Sequence, residues 1–311
     1  TLMLVISAFD ASLHFCGNCH FFIFIRANSL GVLLGSEFEE REKKRRMLIE
    51  RAKSGIAEAY SSEEYPLMQA ISTYLEIDKI MNLVYERLNE WYSLYFPELK
   101  LSNPESYARF VVSFGMDKKK VEKGKLAELL GSKAAEEVAR LAEQSMGREP
   151  NSDEYVAIKE VASNYLRLSD VQKAIDAYLA AATKRVMPNV SYIIDYHIAA
   201  ELLGKAGSLE KLATMPSSTI QLLGAEKAFF KHLKYGSKSP KYGIIFKLAD
   251  ISNGKRELRG KIARVYANKI SIAAKADAFS KRFIADELKA GLESAIKRIQ
   301  ASEGKGKEHK F

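Results

Sequence analysis

Ala70, Tyr74, Ile77, Met81, Val84, Leu88, Trp91 and Tyr95 follow one another at alternating intervals of four and three residues. Only a helix keeps such a run on one side, because a strand would turn successive members to opposite faces. The run closes at "YFPEL", where Pro97 lacks the amide that a further turn requires. A second run, Ile158, Val161, Tyr165, Leu168, Gln172, Ile175, Leu179 and Ala182, repeats the same alternation. Two such helices predict an antiparallel hairpin, with Gln172 as the polar seam residue that fixes register. A hairpin this thin has little core of its own, so its seams should pack on each other and on a second copy or another helix. Ile158, Tyr165, Leu168, Gln172, Ile175 and Leu179 are the dimerisation candidates. Whether the helices pair within or between chains is open, as is burial of both in one compact helical body.

Further helices, including 125–146, lie between the two runs, and Asn151-Ser152-Asp153 marks the start of the second. After Pro188, Ile193, Ile194, His197, Ile198, Leu202 and Leu203 form another helical face, ended by Gly204 and Gly207. His197 among these neighbours is expected to be a satisfied core histidine, not a ligand.

Charge divides the chain. Residues 1–180 hold 23 Lys/Arg against 27 Asp/Glu, whereas 181–311 hold 25 against 12. Residues 227–282 alone carry 15 basic and 3 acidic side chains. Fifteen cations in so short a span repel one another unless a polyanion faces them.

That span opens with "MPSSTIQLLGAEKAFFKHLKYGSKSPKYG" (215–243). Ser218-x-x-Gln221 has the form of a capping box, which predicts a helix from about 219. On it Lys227, Lys231 and Lys234 would share one face, with Phe229, Phe230 and Leu233 anchoring others. Gly236 and Gly243 bracket a loop that carries Lys238 and Lys241. Downstream, Lys261, Arg264, Asn268, Ser271, Lys275 and Arg282 follow a helical row, while Ile262, Val265, Ile270 and Ile272 point to a core. Basic rows on packed helices suit a nucleic-acid backbone. Tyr242 is the best candidate for stacking, and the scarcity of other exposed aromatics favours a folded RNA over a splayed strand. Neither a P-loop nor a dinucleotide fingerprint is present.

At the other end, "TLMLVISAF" and "FFIFI" read as two short strands, turned through Gly17 and Asn18. Cys16-x-x-Cys19, flanked by His14 and His20, leaves half a zinc site or a redox pair as alternatives to that turn. From 37 the interleaved charges of "EFEEREKKRRMLIERAKSGIAEAY" predict a solvated helix. No stretch is long and apolar enough to span a membrane, a signal peptide is poorly supported, and two cysteines fit a reducing compartment. No order of Ser, His and Asp and no glycine-rich cofactor loop suggests catalysis. The chain is expected to be non-catalytic, with no catalytic or metal-binding residues assigned.

"MPSSTIQLLGAEKAFFKHL", "PKYGIIF" and "RGKIARVYANKISIAAKADAFS" together resemble the signature of the Nop domain, and "LNEWYSLYFPEL" resembles the entry to that family's coiled coil. The resemblance covers about 80–295 in order and is to archaeal Nop proteins, scaffolds of box C/D small ribonucleoproteins that guide RNA 2′-O-methylation. It implies a mainly α fold with four parts. These are a small N-terminal α/β region that docks fibrillarin (1–65), a long antiparallel coiled-coil hairpin that dimerises (66–187), an all-α Nop domain (188–295) and a basic tail (296–311).

The resemblance further implies that Pro216, Ser217, Ser218, Thr219 and Gln221 meet a kink-turn-binding protein. Lys227, Lys231, Lys234, Lys238, Lys241, Tyr242, Arg259, Lys261, Arg264, Asn268 and Lys269 would face box C/D guide RNA. S-adenosylmethionine would sit on the partner methyltransferase and no cofactor on this chain. The expected location is the archaeal cytoplasm, or the nucleolus of a eukaryote. Two features depart from the family: Ala228-Phe229-Phe230-Lys231 stands for the usual Ala-Leu-Phe-Arg, losing a guanidinium fork, and the region before the coiled coil is short. A splicing-type Nop protein without a methyltransferase is the alternative, separated by fibrillarin pull-down. A thiol oxidoreductase built on Cys16 and Cys19 is a distant third, separated by thiol reactivity.

Overall fold

The computed structural model describes residues 20–118 and 123–305, which fall into two compact units, 1–62 and 63–311. In the first unit, α1 (His20–Ser61) is one helix. The strand expected at 21–25 is therefore helical, and the described part of this region is α, not α/β. An apolar run of five carries no period that separates strand from helix, and no proline interrupts 20–61. The other expected strand, the turn at Gly17 and Asn18, and the Cys16/Cys19 pair lie outside the described residues. The charged stretch from 38 is exposed and laced by pairs such as Lys44–Glu40 at 3.0 Å and Arg45–Glu42 at 3.2 Å.

The second unit begins with the hairpin. Helices α2 (Glu64–Tyr92) and α6 (Ser152–Val186) run antiparallel, so that Leu67 and Ile71 share a core with Leu179 and Ala182. At the far end Leu88 and Tyr92 share another with Ile158 and Ala162. The α6 start is a reciprocal cap: Asn151 accepts from the Glu154 amide at 2.9 Å, and Glu154 accepts from the Asn151 amide at 3.0 Å.

The hairpin is not thin. Helices α3 (Pro104–Phe114), α4 (Lys123–Leu130) and α5 (Ser132–Glu143) lie between its arms in sequence and bury Tyr107, Phe110, Leu126 and Val138 against its far end. Lys118 is buried there and donates to the carbonyls of Tyr95 and Gly147 and, at 3.0 Å, to Ser145 Oγ. The seam also drifts. Trp91 turns outward and Tyr92 is buried in its place, because a straight helix gains about 20° per heptad on a strict seven-residue repeat.

The hairpin pairs within the chain. Ile158, Tyr165 and Leu179 are buried between α2 and α6, and Leu168 and Ile175 are half-buried against the same cores. Gln172 Nε2 reaches Asp78 at 3.5 Å across the seam.

The C-terminal domain shares the base of the hairpin in its core. It comprises α7 (Pro188–Ile193), α8 (Tyr196–Ala206), α9 (Leu209–Thr214), α10 (Ser217–Leu222), α11 (Glu226–Tyr235), α12 (Ala249–Ser252), α13 (Arg259–Lys275) and α14 (Ala285–Lys305). Helix α14 passes the expected boundary at 295 and buries Ile296, so the expected tail is helical to Lys305. His197 is half-buried, with Nε2 2.7 Å from the Asp176 carboxylate and its ring stacked on Tyr196.

Candidate nucleic-acid interface

The helix expected from 219 is broken in two. Pro216 opens α10 and Ser217 is its first residue, so Ser218 cannot serve as the cap. Gln221 instead donates from Nε2 to the Lys241 carbonyl at 2.6 Å. Gly224, at φ +89°, ends the α10 segment, and its amide donates to Glu226 Oε1 at 2.7 Å before α11 begins. The chain stops here because 221–223 pairs elsewhere. The Gly243 amide donates to the Gln221 carbonyl at 2.9 Å, and the Ile244 amide to the Leu223 carbonyl at 2.8 Å. The Leu223 carbonyl occupies the place of a Cβ on residue 243, so only glycine fits that approach.

This clip holds the 236–243 loop against α10 and next to the start of α13. The result is a groove of about 620 Å³, lined by Ser218, Gln221, Leu222, Lys238, Ser239, Pro240, Lys241, Glu257, Gly260, Lys261 and Arg264. Four cations face a single carboxylate. On the other side of α10 is a mainly apolar groove of about 320 Å³, lined by Ser218, Thr219, Leu222, Leu223, Glu226, Phe229 and Phe230. Ser218 and Leu222 line both, so α10 is a ridge between a basic surface and an apolar one.

The other expected RNA-facing residues divide. Asn268 is exposed on the α13 face that carries Lys261 and Arg264. Ser271, expected on that face, is buried, whereas Ile272, expected in the core, is exposed. Ile272 lies eleven residues after Lys261, just over three whole turns on, which returns it to the same face. Lys227, Lys231 and Lys234 project from α11, which buries none of its residues, so Phe229, Phe230 and Leu233 are exposed and anchor nothing.

Tyr242 and Arg259 belong to packing. Tyr242 stacks on Phe246 at 4.7 Å, with ring planes 8° apart. The Arg259 guanidinium lies 5.6 Å from the Phe246 ring and donates to the carbonyls of Gly254 and Ser252, both at 2.8 Å. Lys269 lies against Gly291 of α14, away from the groove. Sequence reasoning missed Ser239, Pro240, Glu257 and Gly260; the bracketing glycines and Pro240 were the available signs of a fixed loop. Among the described residues no three of His, Cys, Asp and Glu stand close enough to hold a metal, and no helix is long and apolar enough to cross a membrane.

Among the described residues the fold is helical throughout, with a cation-lined groove set beside an apolar one. The sequence profile of the Nop family, described as "snoRNA binding domain, fibrillarin", matches residues 73–298, and the chain belongs to that family. A NOP5 family protein of Methanocaldococcus jannaschii is 38% identical over 284 residues, covering 89% of this chain and 67% of that protein. Nucleolar protein 56 of Dictyostelium discoideum is 34% identical over 245 residues, covering 74% and 45% respectively. Nucleolar protein 58 of Saccharomyces cerevisiae is 34% identical over 244 residues, covering 77% and 47%. The chain thus spans two thirds of the archaeal relative and less than half of the nucleolar ones. A chain of a crystallised fibrillarin/Nop5p complex aligns with 93% of this one and 87% of its own length, at 19% identity and a TM-score of 0.43.

Proposed function

We propose that the chain is a non-catalytic scaffold subunit of a box C/D ribonucleoprotein, which seats fibrillarin on guide RNA for ribose 2′-O-methylation. The family supports this reading, and one observation carries it: the α10 ridge offers an apolar groove and a basic groove at once. A protein already bound to RNA presents apolar surface and phosphates side by side, and such a ridge meets both. Lys238, Lys241, Lys261 and Arg264 then neutralise phosphates, while Ser218, Thr219 and Phe230 face the kink-turn-binding protein, with Pro216 and Ser217 at the ridge's start. Lys227, Lys231 and Lys234 extend the positive field on α11. The methyl donor, S-adenosylmethionine, belongs to the docked methyltransferase, and this chain contributes geometry alone.

The scaffold works as a homodimer in this reading. Because the α6 seam is closed within the chain, the surface assigned to a second copy is the outer stripe of α2, where Ile80, Leu83 and Trp91 are exposed, with Leu94 exposed just beyond its end. The chain acts in the cytoplasm of an archaeal cell, or in the nucleolus if its host is eukaryotic.

Two variants test the division of labour on the ridge. Lys261→Glu with Arg264→Glu weakens binding to a kink-turn protein–RNA complex, and flattens its salt dependence by roughly 0.9 of a log unit for each phosphate that is no longer neutralised. Phe230→Ala weakens binding with the salt slope unchanged. Equal slopes for both variants reject the assignment.

A further inference from the structure

We infer that the end of α13 carries a second RNA surface, an aromatic and cationic platform that stacks unpaired nucleotides. It is formed by Phe279, Phe283 and Tyr192 with Lys275, Lys281 and Arg282. It rests on the RNA-binding reading above but lies outside both grooves.

The platform is exposed and rigid together. Phe279 is 59% exposed, Phe283 56% and Tyr192 44%. Exposed rings in a mobile loop would mean little, but this loop is fixed. After α13 the helix widens into a π turn (Ala276–Ser280) and ends at Lys281, held at φ +55° with its amide donating to the Ala276 carbonyl at 2.7 Å. A lysine in the left-handed region is strained, so its surroundings must hold it there.

They do so through Asp277 and Asn189, both buried. Asp277 accepts from the amides of Asn189 and Val190, each at 3.0 Å, and from Asn189 Nδ2 at 2.6 Å. Asn189 passes the constraint on, donating to the Arg282 carbonyl at 2.8 Å and accepting from the Ile284 amide at 2.7 Å. The backbone on both sides of Phe283 is pinned, so its ring is held outward by the fold.

The surroundings choose the ligand. Between 272 and 284 the cations are Lys275, Lys281 and Arg282, and the one acid, Asp277, is buried beneath them. Phe283 meets Tyr192 edge to face at 5.5 Å, and Lys289 lies 4.8 Å from the Tyr192 ring. The exposed Asp286 carboxylate beside it pushes the Tyr192 hydroxyl up, so what Tyr192 offers a base is its ring. Aromatic faces set among cations are the means by which proteins hold single-stranded nucleic acid, one surface for the base and the other for the phosphate. A protein interface would also take aromatic rings and arginine but is depleted in lysine, and here Lys275, Lys281 and Lys289 surround the rings. Continuity points the same way. Lys261, Arg264, Asn268, Ile272 and Lys275 share one exposed face of α13, a track of about 20 Å from the basic groove to the platform.

The test uses the full chain assembled with a kink-turn protein on two RNAs, one blunt and one with a short unpaired extension containing 2-aminopurine. The extension is expected to tighten binding about tenfold, and the fluorophore to be quenched on assembly. Phe279→Leu with Phe283→Leu keeps apolar bulk and removes the rings. It should abolish both the tenfold gain and the quench, leaving affinity for the blunt RNA unchanged. If gain and quench survive in that variant, or if wild type binds both RNAs equally, the inference is overturned while the groove reading stands. If Lys261→Glu with Arg264→Glu leaves the blunt RNA bound as before while the leucine variants act, the platform stands and the groove reading falls. Binding of neither RNA by wild type overturns both.

Discussion

A glutamine amide bonded to the Lys241 carbonyl, and a glycine amide bonded to the Gln221 carbonyl, hold the basic loop against α10. Neither group is charged, yet together they position the cations of the groove. Sequence made the cations visible, and Lys238, Lys241, Lys261 and Arg264 are indeed brought together. It did not make the clip visible, because Ser218-x-x-Gln221 has the spacing of a capping box and only the fold shows Gln221 reaching across. Arg259 was expected to face RNA, and only the fold shows its guanidinium donating to the Gly254 and Ser252 carbonyls. Asp277 gives the sharpest prediction at this scale. Replacing it with Asn aims an amide group at the Asn189 and Val190 donors that the carboxylate now satisfies. Leaving buried donors unpaired costs about 1–3 kcal/mol each. Asp277→Asn should therefore lower Tm by about 5–10 °C in a unit of this size. An unchanged melting curve would remove the pin from the account.

The heptads at the element scale were legible in one respect and not in another. Periodicity placed α2 and α6 and the faces they bury, but the α3–α5 cap on the far end depends on contacts distant in sequence. Pairing within or between chains is not encoded in periodicity at all. Leu179→Glu, which buries a charge at the shared base of hairpin and domain, should unfold the second unit. Leu83→Glu with Trp91→Glu, on exposed positions, should give folded monomers by light scattering; a folded dimer would place the self-contact elsewhere.

Acid separates the elements too. Arg148 holds Glu154 down to about 2 from 4.5, and Arg109 and Lys173 hold Glu105 low. Ser145 does the same for Glu98, and these three carboxylates all lie on the hairpin and its cap. Stability from a lowered carboxylate is complete above its unfolded value and is lost as pH falls toward the folded one. Burial raises Asp277 instead, and the sign reverses: its contribution is complete in acid and declines as pH rises through its folded value. Between about pH 4.5 and 2, amide exchange should therefore accelerate first in α6 and α3. Earlier loss of α7 and α13 would contradict this.

At the scale of the whole second unit, the base of the hairpin and the C-terminal domain share one core, so arm and domain form one compact body. The charge division of the sequence follows the same parts: residues 227–282 supply the four cations of the groove, and the acidic half supplies most of the arm. The expected strand at 21–25 failed since five apolar residues are read by their neighbours, and a helix continued through them.

The affinity of the full chain for a preassembled kink-turn protein–RNA complex, compared with the same RNA alone at near-physiological salt, tests the two-groove ridge most directly. The complex should bind at least about a hundredfold more tightly, equivalent to two decades in Kd. Equal affinity for naked RNA would contradict the account, because the apolar groove would then contribute nothing to recognition.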